Sequence, residues 1–275
     1  MVIIPIPKNG KVNTINDFRP ISLLNSISKI FELVILKQIM HFVDNESIIS
    51  EQQYGFRRKC STMHNLLFFT NYVSHALDTN LDVHCVLIDF SKAFDHIDHH
   101  LLINKLHDHN FNKYYINIIS SYLTGCVNYT YCNKQFSTAA SMQSGVPQGS
   151  ILSPLLFSIF INDLMDVINI QCVMYADDVK IFSTISRNNF TSETEDFQRN
   201  LNKVNNWSIV NKLPININKT NFIIFSNKLV EKDICYSNFN YTIGKQTLTR
   251  VYSITDLGVK VRSPFKLFGT LEICY

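Results

Sequence analysis

Apolar and polar positions alternate along the chain in a way that predicts short strands between longer helices. Val2–Pro7 is apolar and stops at Lys8-Asn9-Gly10-Lys11, the pattern of a strand entering a hairpin. Over residues 21–42, Leu24, Ile27, Ile30, Phe31, Leu33, Val34 and Ile39 recur at helical spacing and predict an amphipathic helix. Residues 83–90 form a dense apolar run interrupted by a single carboxylate, Asp89, as in a buried strand that delivers an acid at its C-terminal end. A polar, histidine-rich helix with Leu101, Leu102 and Leu106 follows. Residues 144–154 hold Gly145, Pro147, Gly149 and Pro154 and cannot be regular; Ser153-Pro154 then predicts an N-cap and a first-turn proline opening a buried helix. Residues 172–183 are two apolar arms around Asp177-Asp178, a hairpin with two acids at its turn. Ser192 and Glu195 have capping-box spacing and predict the start of a helix through Phe197, Leu201 and Val204; residues 215–225 read as a strand pair. Strands interleaved with helices, without a glycine-rich βαβ fingerprint, predict an α+β fold whose sheet is covered on one face.

Composition narrows the picture. With 46% apolar and 17% charged residues in a chain of 275, a packed core is expected rather than a solvated tail. A net charge of +3 permits nucleic-acid binding without demanding it, since local clusters of Lys and Arg neutralise phosphates. Seven cysteines, none in a CxxC pair, argue against a disulfide framework and a zinc ribbon. His96 and His100 have the i, i+4 spacing of a helical metal pair, but no Glu or Cys pair accompanies them and they read as ordinary helix positions. No charged leader precedes an apolar core at the N-terminus, and Pro154, Asp163 and Asp166 interrupt the most apolar stretch, residues 151–170. The expectation is an intracellular protein of cytoplasm and nucleus, neither secreted nor in a membrane.

Three acids carry the candidate chemistry: Asp89 at a strand end, and Asp177 and Asp178 in the hairpin. An isolated Asp-Asp pair is an ordinary turn. A buried acid without a partner is costly, however, so carboxylates gathered among apolar strands suggest a cation, and Mg²⁺ suits an all-oxygen site shared with substrate phosphates. Two such ions could serve an in-line phosphoryl displacement.

The motifs around these acids resemble the reverse transcriptases of non-LTR (LINE-type, jockey-like) retrotransposons. Tyr175-Ala176-Asp177-Asp178 resembles the YADD motif, VLIDFSKAFDHIDHHLLINKL the first palm motif, and residues 144–157, SGVPQGSILSPLLF, the glycine-rich palm motif. Asp17-Phe18-Arg19-Pro20-Ile21-Ser22-Leu23 and Gln53-Tyr54-Gly55-Phe56-Arg57 resemble the fingers motifs; Leu213 to Thr220 and Asp256-Leu257-Gly258-Val259 resemble the lysine motif and the primer grip. The resemblance implies a right-hand polymerase fold, with fingers at 1–80 and an antiparallel palm sheet backed by helices at 81–262. It also implies an RNA template, a DNA primer and dNTP as partners, and two Mg²⁺ ions, for which Mn²⁺ could substitute, with no small-molecule cofactor. Asp89 and Asp177 would be metal ligands and Asp178 a third acid; Lys219 would be a general acid toward pyrophosphate. Arg19, with Lys8 or Lys11, would bind the triphosphate, Phe94 would be the steric gate against a 2′-hydroxyl, and Gln148 and Gly149 would meet the nucleotide and template. Arg57, Arg58 and Lys59 would contact the template backbone, and Asp95 would have a structural role. The pattern starts inside the first fingers motif, and residues 263–275 diverge where a thumb would follow. A rival expectation is therefore an inactive, truncated relic with at most weak nucleic-acid binding; a different Mg²⁺ phosphotransferase would leave Phe94 and Gln148-Gly149 unexplained.

Overall fold

The computed structural model describes residues 1–8, 14–227, 236 and 239–264. Lys11 and most of the divergent tail lie outside the described residues. Contacts divide the chain into two compact units, each built from two separate stretches: residues 1–50 with 92–162, and residues 51–91 with 163 onward.

In the first unit Val2–Pro7 pairs antiparallel along its whole length with Phe18–Leu23, from Val2↔Leu23 to Pro7↔Phe18, and parallel with Val127–Cys132. The amphipathic helix is Ser26–Asn45 rather than residues 21–42, with the Asn25 side chain capping it by accepting from Ser28 N. Residues before it are drawn into the strand, where Pro20 at a ladder position also opposes helix. Of the apolar residues expected in its core face only Ile39 is buried. The buried stripe is Glu32, Ile35, Ile39, Met40 and Val43, while Ile27, Ile30, Phe31, Leu33 and Val34 are exposed. A helix apolar nearly all round does not choose its own buried face. Helix His99–Asp108 packs on Lys113–Leu123 and on Ser153–Ile161, a helix buried at every residue except Pro154. Ser153 is inside that helix; the capping acceptor is Ser150 Oγ, which takes Leu152 N at 3.1 Å and Ser153 N at 3.3 Å.

The second unit is organised by a five-stranded sheet in the order Thr249–Arg250, Asn221–Phe225, Asp82–Ile88, Asp178–Ile185, Gln171–Tyr175, antiparallel except at the short Thr249–Arg250 edge. It is covered on both faces, not one. Val83, Cys85, Phe182, Ile223 and Phe225 pack against Phe69, Val73, Ala76 and Leu77 of helix Thr62–Asp78. On the other side His84 meets Phe190 and Phe197 of helix Phe190–Val210 and hydrogen-bonds the Tyr241 hydroxyl at 2.6 Å. Burial, then the Arg250 charge, holds the His84 pKa down to about 3, so it is a neutral core residue. The central strand is apolar at successive positions because neither of its faces meets water.

Two local expectations differ from the structure. Helix Phe190–Val210 begins before Ser192, whose hydroxyl donates to Asn189 O, and the Glu193 carboxylate accepts from Ser186 N. Residues 215–225 form one strand, Asn221–Phe225; Ile215 makes a single bridge to Phe90, and a turn closed by Thr220 N donating to Asn216 O lies between. Asparagines at 216 and 218 favour that turn over a second strand. Among the described residues no helix is long and apolar enough to cross a membrane.

Candidate active site

The strand register brings the acids together. Ile88 pairs with Val179, so Asp89, one residue beyond the strand end, arrives beside the hairpin. Tyr175 pairs with Asp178, leaving Ala176 and Asp177 as a two-residue loop. Such loops require a positive φ at their first position, and Ala176 has φ +56°. Asp89 is held from both sides: its N–H donates to Thr220 Oγ1 at 3.2 Å and its carbonyl accepts from Asn216 N at 2.7 Å. The turn carrying the exposed Lys219 thus wraps the Asp89 backbone.

Asp178 is accessible at the rim, yet its pKa is pushed up to about 6, first by desolvation and then by the charges of Asp177, Asp256 and Asp89, with Lys180 opposing. Two residues along the same strand face, Lys180 Nζ meets Asp256 Oδ2 at 2.6 Å, both side chains almost fully buried. A small cleft beside this pair is lined by Ile88, Asp178, Lys180, Thr255 and Asp256. Hard oxygen donors that repel one another next to water suit a divalent cation, which would remove the repulsion. Among the described residues no three His, Cys, Asp or Glu side chains already stand as a metal cage. The acids are a charge cluster rather than a preformed ligand set.

The remaining expected residues fall into two groups. Arg57, Arg58 and Lys59 belong to the unit of the carboxylates, Arg58 and Lys59 exposed beside the half-exposed ring of Phe56. Phe94, Gln148, Gly149 and Arg19 belong to the other unit, where they form one construction. Phe94 stacks on Phe157 at 4.6 Å, and its carbonyl accepts from Val146 N. Gln148 Nε2 donates to Asp95 Oδ1 at 2.8 Å, which gives Asp95 a positioning contact. The Gln148 carbonyl accepts from Ser22 N at 2.7 Å, on the same strand as the exposed Arg19. Gly149 has φ +108°, and a Cβ there would stand 3.0 Å from Ser22 O, so only glycine allows this approach. Glu32, 2% exposed, secures the loop by accepting from Ser150 Oγ and Ile151 N. Lys8 Nζ donates to Asn16 O.

Sequence reasoning named Gln53 and Asp256 only as members of motifs, without a role of their own, and did not name Glu32 or Lys180. Their partners lie far along the chain, and no local periodicity marks them.

Residues 6–261 match the family described as reverse transcriptase (RNA-dependent DNA polymerase). The probable RNA-directed DNA polymerase from transposon BS of Drosophila melanogaster is 33% identical over 188 residues, 65% of this chain and 21% of that protein. The RNA-directed DNA polymerase from mobile element jockey of the same organism is 28% identical over 235 residues, 82% of this chain and 25% of that protein. The chain therefore spans about a fifth to a quarter of the curated relatives' length. Among solved structures, telomerase from Candida tropicalis in complex with a fragment of telomeric RNA matches with a TM-score of 0.61 at 13% identity, covering 94% of this chain and 43% of that one, a likeness of fold. With the match extending over almost all the described residues, this chain belongs to the reverse transcriptase family, of the non-LTR retrotransposon kind that jockey and BS represent.

Proposed function

We propose that this chain carries the polymerising site of an RNA-directed DNA polymerase, joining a dNTP to a primer 3′-hydroxyl on an RNA template. The observation that carries the reading is the strand register that sets Asp89, just past the end of the central strand, beside the hairpin bearing Asp177 and Asp178, where burial together with the neighbouring charges raises the Asp178 pKa. Such a cluster suits a cation whose shell substrate phosphates can share. Asp89 and Asp177 would hold two Mg²⁺ ions, or Mn²⁺ in their stead, with Asp178 as the third acid. Cations bound there supply neutralisation of the triphosphate and activation of the primer hydroxyl.

The chain's own groups do the rest. Lys219 Nζ, exposed on the turn tied to Asp89, gives a proton to the departing pyrophosphate. Arg19, helped by Lys8 or Lys11, grips the triphosphate with its planar fork of donors. The Phe94 ring, braced by Phe157, excludes a 2′-hydroxyl, so deoxynucleotides are selected. Gln148 and Gly149 support the incoming nucleotide and template, and Arg57, Arg58 and Lys59 neutralise template phosphates. By motif, residues 1–80 serve as fingers and 81–262 as palm, working in cytoplasm and nucleus, where RNA template and DNA primer are found.

Primer extension on an RNA template with Mg²⁺ or Mn²⁺ tests this. The chain should extend the primer, and Asp177→Ala should lower the rate by roughly 10³-fold, as expected when several kcal/mol of transition-state stabilisation is lost. Failure of the unsubstituted chain to extend would withdraw the activity while leaving family and fold intact.

A further inference from the structure

A two-residue hairpin loop leaves its own peptide groups outside the ladder, free to wobble unless something else binds them. Here one side chain binds both groups of Ala176. Gln53, with no solvent exposure, accepts from Ala176 N at 3.0 Å and from Gly55 N at 2.8 Å through Oε1, and donates from Nε2 to Ala176 O at 3.3 Å. Its backbone is itself fixed to the hairpin: Met174 N donates to Gln52 O and Tyr54 N to Met174 O, both at 2.8 Å. Asn65 Nδ2 adds a bond to Met174 O at 3.2 Å. The segment presses so close that a Cβ on Gly55 would stand 2.2 Å from Ala176 N. The turn therefore sits against an extra strand-like segment whose glutamine replaces the missing ladder bonds of the residue immediately before Asp177.

We infer that Gln53 is a positioning residue for the carboxylate turn, holding the left-handed Ala176 peptide so that Asp177 and Asp178 keep one direction. The inference rests on the polymerase reading for its catalytic consequence, but not for the clamp itself. An amide is suited to the task because it offers an acceptor and a donor at one distance, matching an N–H and a C=O of the same residue. Asparagine carries the same groups one methylene short and, from a backbone already pinned, cannot reach both. Methionine fills the space with no hydrogen bonds.

The test uses the whole chain and the variants Gln53→Asn and Gln53→Met. In hydrogen exchange, the Ala176 amide should exchange at least about ten times faster in both variants while amides of strand Asp82–Ile88 stay protected. Mn²⁺ alone, titrated by electron paramagnetic resonance, should half-saturate the variants at several-fold higher concentration. Primer extension per folded molecule should show kcat lowered by about 10- to 100-fold with KM for dNTP within about two-fold, as a small misplacement of reacting groups does. Unchanged Ala176 exchange would overturn the clamp. Faster exchange with Mn²⁺ binding and kcat both unchanged would reduce Gln53 to a packing role and overturn its positioning role. If the unsubstituted chain extends no primer, yet binds Mn²⁺ in a way that Asp177→Ala abolishes and Gln53→Asn weakens, the polymerase reading falls and the positioning of the acids by Gln53 stands.

Discussion

Asp178 works against the stability of the protein that contains it. Its carboxyl is raised to about 6 from an ordinary 3.8, so the folded state prefers the protonated form. The sign follows: stability from this group is fully present below about pH 4, where folded and unfolded chains are both protonated, and is lost as pH rises through 6. In metal-free protein, Asp178→Asn should therefore raise the unfolding free energy at pH 7.5, by at most about 1 kcal/mol because water reaches the side chain. The gain should vanish near pH 4, as urea unfolding at the two pH values would show, and equal stability of the two proteins at pH 7.5 would disprove the repulsion. The acids themselves were legible from their place among apolar runs and from the motifs around them. Gln53 was not, because its meaning lies in bonds to a residue 123 positions away.

At the scale of elements, the buried pair Lys180–Asp256 joins the hairpin Ser253–Asp256 and Val259–Arg262 to the strand that carries Asp178. Lys180 Nζ also lies 5.0 Å from the centre of the Phe69 ring. Removing one partner strands a buried charge, so Lys180→Met or Asp256→Leu alone should each cost roughly 3–5 kcal/mol. The double variant should cost much less than both together, and additive losses in a double-mutant cycle by urea unfolding would show that the two residues do not act as a pair. The sequence pattern predicted the two arms of the hairpin around Asp177-Asp178, yet it read Lys180 merely as part of an apolar arm. Alternation reports which residues leave water, not which charge awaits them. The same limit explains helix Ser26–Asn45, whose existence was predicted and whose buried face was not.

At the scale of the whole molecule, the two units are interleaved along the chain, and a boundary at residue 80 leaves parts of both on either side. Helix Thr62–Asp78 supplies Phe69, Val73 and Leu77 to the core over the five-stranded sheet. Burying these three side chains contributes roughly 5–9 kcal/mol, comparable to the entire stability of an ordinary domain. A fragment of residues 81–262 should therefore lack a cooperative thermal transition and bind a hydrophobic dye, whereas residues 1–275 should melt cooperatively; a cooperative melt of the fragment would contradict this. By itself the sequence determined which acids, glycines and aromatic residues stand at which spacing, and where most of the strands and turns fall, since these follow from local conformational preference and from neighbours a few positions apart. Only the tertiary structure decided that the sheet is buried on both faces, that Ser150 rather than Ser153 caps a helix, that Lys180 meets Asp256, and that Gln53 holds the turn before Asp177. Most of those outcomes depend on residues that chain distance separates and packing brings together, and the Ser150 cap on how its loop is held, so no window of sequence contains them.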